Sequence, residues 1–196
     1  MARAAVLTTP QDRAIEAARQ VALVVGASLF VALCARVTIP LLPLTPVPLT
    51  MQDFGVLLVG LMLGSRRGFA ALALYLAEGA AGLPVFSPSS VGLHGVAQIL
   101  GPTGGFLMAY PLVAFVAGWI FESGAKSFAR AMIAGIAADI LLFAGGLAWL
   151  YVFTHSLAKA AYFGLYWFVA AQVIKAMFAA AIATRWHKRG PTSVRQ

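Results

Sequence analysis

The sequence predicts an all-α, polytopic membrane protein with six transmembrane helices and both termini in the cytoplasm. Hydrophobic residues make up 61% of the 196 residues, and charged residues only 10%, whereas about a quarter of the residues of a soluble domain are charged. A soluble domain of this size could not hide so much apolar surface from water, and a bilayer removes that conflict. The apolar residues are also grouped in runs, which is typical of membrane helices.

Six apolar runs follow one another along the chain, and each can supply a membrane helix if it takes neighbouring residues at its ends. The runs cover about residues 21–35, 51–63, 69–81, 104–121, 129–153 and 162–184. We expect one integral membrane domain with its six-helix core at 21–184. Residues 1–20 are interpreted as a cytoplasmic N-terminal segment that ends in the first turns of an interfacial helix. Residues 185–196 are interpreted as a basic cytoplasmic tail.

The positions of the positive charges predict the orientation of the chain. If the sides of the membrane alternate from a cytoplasmic N-terminus, every Lys and Arg except Arg36, Lys159 and Lys175 is assigned to the cytoplasmic side or to a helix end next to it. Short cytoplasmic loops carry such an excess of basic residues. The formal net charge of +8 is therefore interpreted as a topology signal, with the lipid bilayer as partner and no nucleic acid.

The two longest external connections, 37–50 and 82–103, are expected to close over an outward-facing cavity. The first is apolar but holds four prolines, Pro40, Pro43, Pro46 and Pro48, which forbid a regular helix. Such a segment is expected to fold back over the helix ends as a lid. On the other side of the membrane, Ser-Arg-Arg-Gly at 65–68 is expected to form a tight basic turn.

Lys175 is the most informative ionisable residue because it lies well inside the sixth apolar run. A lysine near the centre of a membrane helix costs about 2.5–3.5 kcal/mol on insertion scales, so it needs a reason. It either anchors an anionic group of a ligand or pairs with Asp139 of the fifth run. Asp139 itself either binds a ligand, relays a proton or pairs with Lys175, and pairing is slightly favoured. Gln172 lies on the same helical face as Lys175.

Two further segments offer polar groups to a ligand. Gln52 and Asp53 open the second run, where they either cap the helix or present a polar edge to a ligand. Gly-Pro-Thr-Gly-Gly at 101–105 could bind an anion through backbone N–H groups, although a tight turn into a helix is the plainer interpretation. This segment lacks the lysine and the spacing of a nucleotide P-loop, so the use of ATP would require a partner.

Catalytic residues, metal sites and cofactors are not predicted. The sequence shows no Ser/His, HExxH or paired-carboxylate pattern of an enzyme and no metal-ligand spacing. Small residues four positions apart recur instead, for example Gly60 with Gly64 and Ala114 with Gly118, and such pairs permit close helix packing.

Several short motifs, weak one by one, together resemble the BioY family, the biotin-specific substrate-binding (S) components of energy-coupling-factor (ECF) transporters. The motifs are Ile39-Pro40, Pro46-Val-Pro-Leu-Thr-Met-Gln52 with Phe54, Leu63-Gly-Ser-Arg-Arg-Gly68, Tyr75, Gly82-Leu-Pro-Val-Phe86, Leu100-Gly-Pro-Thr-Gly-Gly105, Trp149-Leu150 and Ile174-Lys175. The resemblance runs over about 22–180, and its specificity comes from the order and spacing of the motifs.

The resemblance implies a multi-pass subunit of the bacterial cytoplasmic (inner) membrane with an S-component-like fold, which is not an enzyme. It implies high-affinity binding of biotin from the outer side, in a pocket of spans four to six covered by the first and third loops. A transmembrane coupling (T) subunit and ABC ATPase (A) subunits would energise uptake. Ser28 and Ala32 of the first span resemble the family's contact with the coupling subunit.

The predicted ligand-binding residues combine the family motifs with the polar residues of the spans. They are Lys175, Gln172, Gln52, Thr50, Gly101, Thr103 and Asp139. Gln172 stands where the family often has an acidic residue, and Phe106 where it has a tyrosine. An amide can still hydrogen-bond a ureido ring or a carboxylate, so biotin remains the expected ligand. The alternatives are an S component for another vitamin, an intramembrane enzyme and an assembly subunit without a ligand.

Overall fold

The fold, a computed structural model that describes residues 10–89 and 92–189, consists of α-helices joined mostly by short connections. In chain order the elements are α1 (Pro10–Arg36), β1 (Thr38–Ile39), β2 (Leu49–Thr50), α2 (Gln52–Leu63), α3 (Ser65–Ala80), α4 (Val96–Ile99), α5 (Gly104–Glu122), α6 (Phe128–Thr154), α7 (Leu157–Ala161), a π-helical turn (Tyr162–Tyr166) and α8 (Val169–Arg189). The prediction of an all-α class is confirmed.

Six helices of twelve or more residues, α1, α2, α3, α5, α6 and α8, follow the six predicted runs in order within the described residues. By length and apolar composition, α1, α5 and α6 can each cross a membrane, and α7 with the π-helical turn and α8 can form a fourth span with a 42° bend. α2 has only 12 residues and α3 only 16, whereas a full span needs about 20. The presence of six full membrane spans and the cytoplasmic position of both termini stay predictions.

The first and last helices extend further than the sequence predicted. α1 begins at Pro10, so residues 10–20 continue directly into the first apolar run instead of forming a separate segment. Proline suits this first position because its missing N–H has no helical partner there. α8 likewise continues into the predicted tail as far as Arg189. The rest of the predicted segment and tail, 1–9 and 190–196, lies outside the described residues.

The predicted basic turn at 65–68 is wrong, because these residues form the first turn of α3. The chain reverses instead at Gly64, whose φ of 84° is a conformation that glycine adopts easily. The carboxylate of Glu122, at the end of α5, accepts hydrogen bonds from the backbone N–H and the hydroxyl of Ser65, at 3.1 and 2.8 Å. An acid from another helix thus satisfies the free N–H at the start of α3.

α5 packs against α2, α3 and α6, and small residues permit its closest contacts. A Cβ atom at Gly60 of α2 would lie 2.5 Å from the carbonyl oxygen of Ala114, and one at Gly118 would lie 2.4 Å from the backbone nitrogen of Ser65. The backbones therefore touch without intervening side chains, as the predicted small-residue pairs require. This close contact holds α2, α3 and α5 together.

The outer faces of the bundle are apolar. Leu29 and Leu33 of α1 are 52% and 69% exposed, and Ile133 and Ile140 of α6 are 61% and 65% exposed. Apolar patches of this extent are rare on soluble monomers and typical of surfaces that meet lipid. The structure thus supports the membrane environment that the composition predicted.

Both long connections are tied down at one end of the bundle. In the first, β1 and β2 pair antiparallel with Thr38 opposite Thr50, and the buried hydroxyl of Thr45 donates to the carbonyl of Phe163 at 2.7 Å. In the second, Arg36 donates to the carbonyls of Pro84 and Phe86. These bonds place both segments beside the helices that carry the predicted site residues.

The close contact of α5 with α3 predicts a strong effect of one added methyl group. Gly118→Ala should lower the free energy of unfolding by about 1–3 kcal/mol, because its Cβ would meet backbone that cannot yield. Gly26→Ala is the matched control, since no atom lies within 4 Å of its Cβ. In a helix this control should be neutral or stabilising by up to about 1 kcal/mol. Thermal unfolding in detergent measures both, and equal melting temperatures would contradict the packing.

Candidate ligand-binding site

A pocket lies between α2, α5, α6 and α8, beneath the two long connections. Its lining mixes apolar and aromatic side chains with a smaller number of polar ones. The lining residues are Val47, Pro48, Thr50, Gln52, Asp53, Ser87, Thr103, Phe106, Leu107, Tyr110, Leu142, Phe143, Phe168 and Gln172. Apolar walls with a few placed polar groups are typical of small-molecule sites.

The pocket is narrow. Its cavity has a volume of only about 50 Å³. This volume lies well below the range of about 300–1,000 Å³ that is usual for small-molecule sites. Entry of a bicyclic ligand therefore requires the side chains or the covering connections to move outward.

The start of α2 supplies one polar wall of the pocket. The hydroxyl of Thr50 accepts the backbone N–H of Gln52 and donates to the carboxylate of Asp53, both at 3.2 Å. The side-chain amide of Gln52 donates to the hydroxyl of Tyr75 at 2.7 Å, and Tyr75 donates to the carbonyl of Val85 at 3.0 Å. Thr50 thus supplies the hydrogen bond to the helix start, and Asp53 lies in the first turn, where a negative charge is favourable.

Lys175 forms an ion pair with Asp53, with 2.7 Å between the ammonium nitrogen and a carboxylate oxygen. The two side chains are only 8% and 15% exposed. The expected pair with Asp139 is therefore wrong, and the physical reason is the packing of α8 against both α2 and α6. The lysine turns towards α2, while Gln172, one turn earlier, turns towards Asp139 on α6.

Gln172 is buried in the pocket wall and only half of its amide is paired. Its NH2 group donates to the carboxylate of Asp139 at 3.0 Å. Its oxygen has no hydrogen-bond partner among the described residues, although it is fully buried. A buried acceptor without a partner costs stability, so a ligand N–H that reached this oxygen would remove that cost.

The structure brings four of the seven predicted ligand-binding residues into the pocket wall, namely Thr50, Gln52, Thr103 and Gln172. The other three lie behind it. Lys175 and Asp139 are partners of wall residues, and the carbonyl of Gly101 accepts the indole N–H of Trp149 at 2.9 Å. Gly101 therefore positions the turn into α5, which was the plainer interpretation of its motif. Contact of any of the seven with a ligand stays a prediction.

Ser28 faces the interior of the chain. It is fully buried, and its hydroxyl donates to the carboxylate of Glu78 on α3. Ala32, one turn later, is half-buried and packs against the core. The structure thus places Ser28 on the side of α1 that faces the bundle interior. The role of Ser28 and Ala32 in contacting a coupling subunit stays a prediction.

Sequence reasoning missed Asp53 as the partner of Lys175, and it considered a polar edge facing a ligand at Asp53 without including this residue in the predicted ligand-binding set. Its position directly after Gln52, at the same helix end, was the available signal. It also missed Ser87, Phe143 and Phe168, whereas Phe106 was noted as the position of a family tyrosine. Nothing in the sequence distinguishes Phe143 and Phe168 from the many aromatic residues that contact lipid or the core.

These features define a class: a membrane-embedded helical bundle with a covered small-molecule pocket at one end. A sequence profile of the BioY family matches residues 5–192. The biotin transporter BioY of Thermotoga maritima is 41% identical over 148 residues, 75% of this chain and 85% of the relative. The probable biotin transporter BioY of Pyrococcus horikoshii is 37% identical over 168 residues, 86% of this chain and 96% of the relative. The chain belongs to the BioY family.

A solved structure supports the same conclusion from the fold. The S-component for biotin from an ECF-type ABC transporter, known from a crystal structure at 2.1 Å, superposes with a TM-score of 0.78 at 25% identity. The match covers 93% of this chain and 96% of that structure. The expected S-component-like fold is therefore confirmed.

The buried ion pair predicts a recoverable loss of stability. Lys175→Met nearly keeps the length of the side chain but leaves the buried carboxylate of Asp53 without an opposite charge, so it should cost about 3 kcal/mol of unfolding free energy. Asp53→Asn combined with Lys175→Met removes both charges and should recover most of that loss.

Thermal unfolding of the purified variants in detergent measures the two effects. Lys159→Met is the control, because Lys159 is exposed on α7. A Lys175→Met variant as stable as this control would show that the pair does not hold α8 to α2.

Proposed function

We propose that this chain is the substrate-binding subunit of an ECF-type biotin transporter and mediates biotin uptake across the bacterial cytoplasmic membrane. One observation carries the proposal: the likeness to a biotin S-component extends over 93% of this chain and 96% of that structure. The transporters of the same family in Thermotoga and Pyrococcus support it independently.

The groups in the pocket wall suit the chemistry of biotin. Biotin carries a ureido ring with two N–H donors and one carbonyl, a thioether ring, an aliphatic chain and a carboxylate. The N–H groups can donate to the carboxylate of Asp53 and to the oxygen of Gln172, which lacks a partner within the described part of the chain. Phe106, Phe143 and Phe168 offer aromatic surface to the sulfur and the aliphatic chain.

Lys175 acts on such a ligand through Asp53. The ammonium neutralises a carboxylate that belongs to the pocket wall, at a distance of 2.7 Å. Without that neutralisation, a negative wall would face a ligand that is itself an anion, in surroundings where water cannot screen the repulsion. The lysine thus serves anion binding without lining the pocket.

The energy for transport comes, in this proposal, from a transmembrane coupling subunit and a pair of ABC ATPases. The support is the ECF-type context of the solved biotin S-component. The apolar outer face of α1, with Leu29 and Leu33 exposed, is a membrane surface on which a helix of another subunit can pack. Ala32, half-buried beside this face, and the buried Ser28 remain the predicted contact residues.

The first test is equilibrium binding of labelled biotin to the detergent-purified chain. We expect saturable binding at nanomolar concentrations that unlabelled biotin abolishes and that thiamine, riboflavin, folate and pantothenate leave unchanged. Displacement by another vitamin would transfer the proposal to that ligand, and no binding by a folded preparation would refute it.

Removal of the cation should weaken binding selectively for the charged ligand. Lys175→Ala in a folded, monodisperse preparation should weaken biotin binding about tenfold or more, which corresponds to about 1.4 kcal/mol or more. Biotin amide, which lacks the carboxylate charge, should lose less affinity. Lys159→Ala is the matched control and should bind as the parent chain does. An unchanged affinity of Lys175→Ala for biotin would contradict this role of the pair.

The proposed six-span topology predicts opposite sides for two exposed loops. In a Cys34→Ser background, Ser123→Cys between α5 and α6 should react with a membrane-impermeant maleimide only after the cells are opened. Lys159→Cys on α7 should react in intact cells. Labelling of both positions from the same side would contradict the topology.

A further inference from the structure

Asp139 lies directly behind Gln172 as seen from the pocket. The two side chains are 8% and 3% exposed, and the amide nitrogen of Gln172 lies 3.0 Å from a carboxylate oxygen of Asp139. Gln172 lines the pocket, whereas Asp139 does not. The acid therefore touches the pocket only through the glutamine, and it approaches from a different helix, α6.

The hydrogen bond to Asp139 determines the orientation of the Gln172 amide, that is, the directions in which its NH2 group and its oxygen point. A primary amide has one end that donates and one that accepts, whereas a carboxylate only accepts. The NH2 group must therefore face Asp139, and the oxygen must face the other way. In this orientation the oxygen is buried and has no hydrogen-bond partner among the residues that the structure describes.

Lys175 does not compete for Asp139. Its ammonium is engaged by Asp53 at 2.7 Å on the α2 side of α8. The side-chain partner of Asp139 within the described residues is thus the amide of Gln172. A buried acid that serves neither an ion pair nor the pocket surface requires another role.

We propose that Asp139 is a positioning residue that holds the Gln172 amide with its oxygen towards the ligand. Position 172 then acts as an uncharged group that only accepts, matched to a ligand N–H. This inference rests on the proposed function, with a ureido N–H of biotin as the donor. If the amide turned over, its NH2 group would face the ligand N–H and would be repelled by it.

The test exchanges the two functional groups. Asp139→Asn gives position 139 a donor, so the Gln172 amide can turn over, and biotin binding should weaken about tenfold or more. Gln172→Glu places two carboxylates about 3 Å apart, where they repel each other, and should weaken binding by a similar factor. When both substitutions are combined, the new amide at position 139 donates to the new carboxylate at position 172, which still presents an acceptor to the ligand. This exchange variant should bind biotin within a few-fold of the parent chain.

Binding of labelled biotin, measured beside thermal unfolding, separates the outcomes. Weak single variants with a restored exchange variant support the positioning role, because a general loss of packing would not be repaired by moving a carboxylate across the contact. Parent-like binding by Asp139→Asn overturns it. If the single variants do not fold, the exchange variant decides, and its failure to fold or to bind overturns the inference. Failure of the parent chain to bind biotin refutes the proposed function instead.

Discussion

The ion pair between Lys175 and Asp53 is the interaction on which the arrangement around the pocket depends. Neither charge could remain alone in a membrane helix without a large cost, and together they bring α8 against α2. This contact sets the rotation of α8, and with it the side that Gln172 presents one turn earlier. It also holds the first turn of α2, where Thr50 and Gln52 enter the pocket wall. One electrostatic constraint thereby orders polar groups from two distant parts of the chain.

The remaining polar groups are held by partners that lie behind the wall. Gln52 is held by Tyr75, which in turn binds the carbonyl of Val85 in the second connection. Gln172 is held by Asp139. Such an arrangement limits the freedom that the wall residues would lose when a ligand binds, so less of the binding free energy is spent on ordering them. The apolar walls between these groups add burial without adding polar groups that need partners.

The sequence predicted the helices well and named four residues that lie in the pocket wall, because both depend on local patterns. Apolar runs determine where helices form, and a spacing of three residues places Gln172 and Lys175 on one face. The partner of Lys175 was not predictable, because Asp53 lies 122 residues away and a lone Asp139 in the next helix offered a simpler pair. The wrong turn at 65–68 has a similar origin, since its cap, Glu122, comes from a different helix. Contacts between distant segments depend on helix rotation, which composition and periodicity leave open.

The hydrogen bonds that hold the two long connections against the helices depend on the side chain at the donor position but not at the acceptor position. Arg36 and Thr45 donate from their side chains, but the acceptors are backbone carbonyls of Pro84, Phe86 and Phe163. Every residue type carries a backbone carbonyl, so the accepting segments can change their side chains and keep these bonds. The donors have no such freedom. These bonds therefore require donating side chains only at positions 36 and 45, whereas Val85 and Phe86 are constrained in a different way, by the burial of their own side chains in the core.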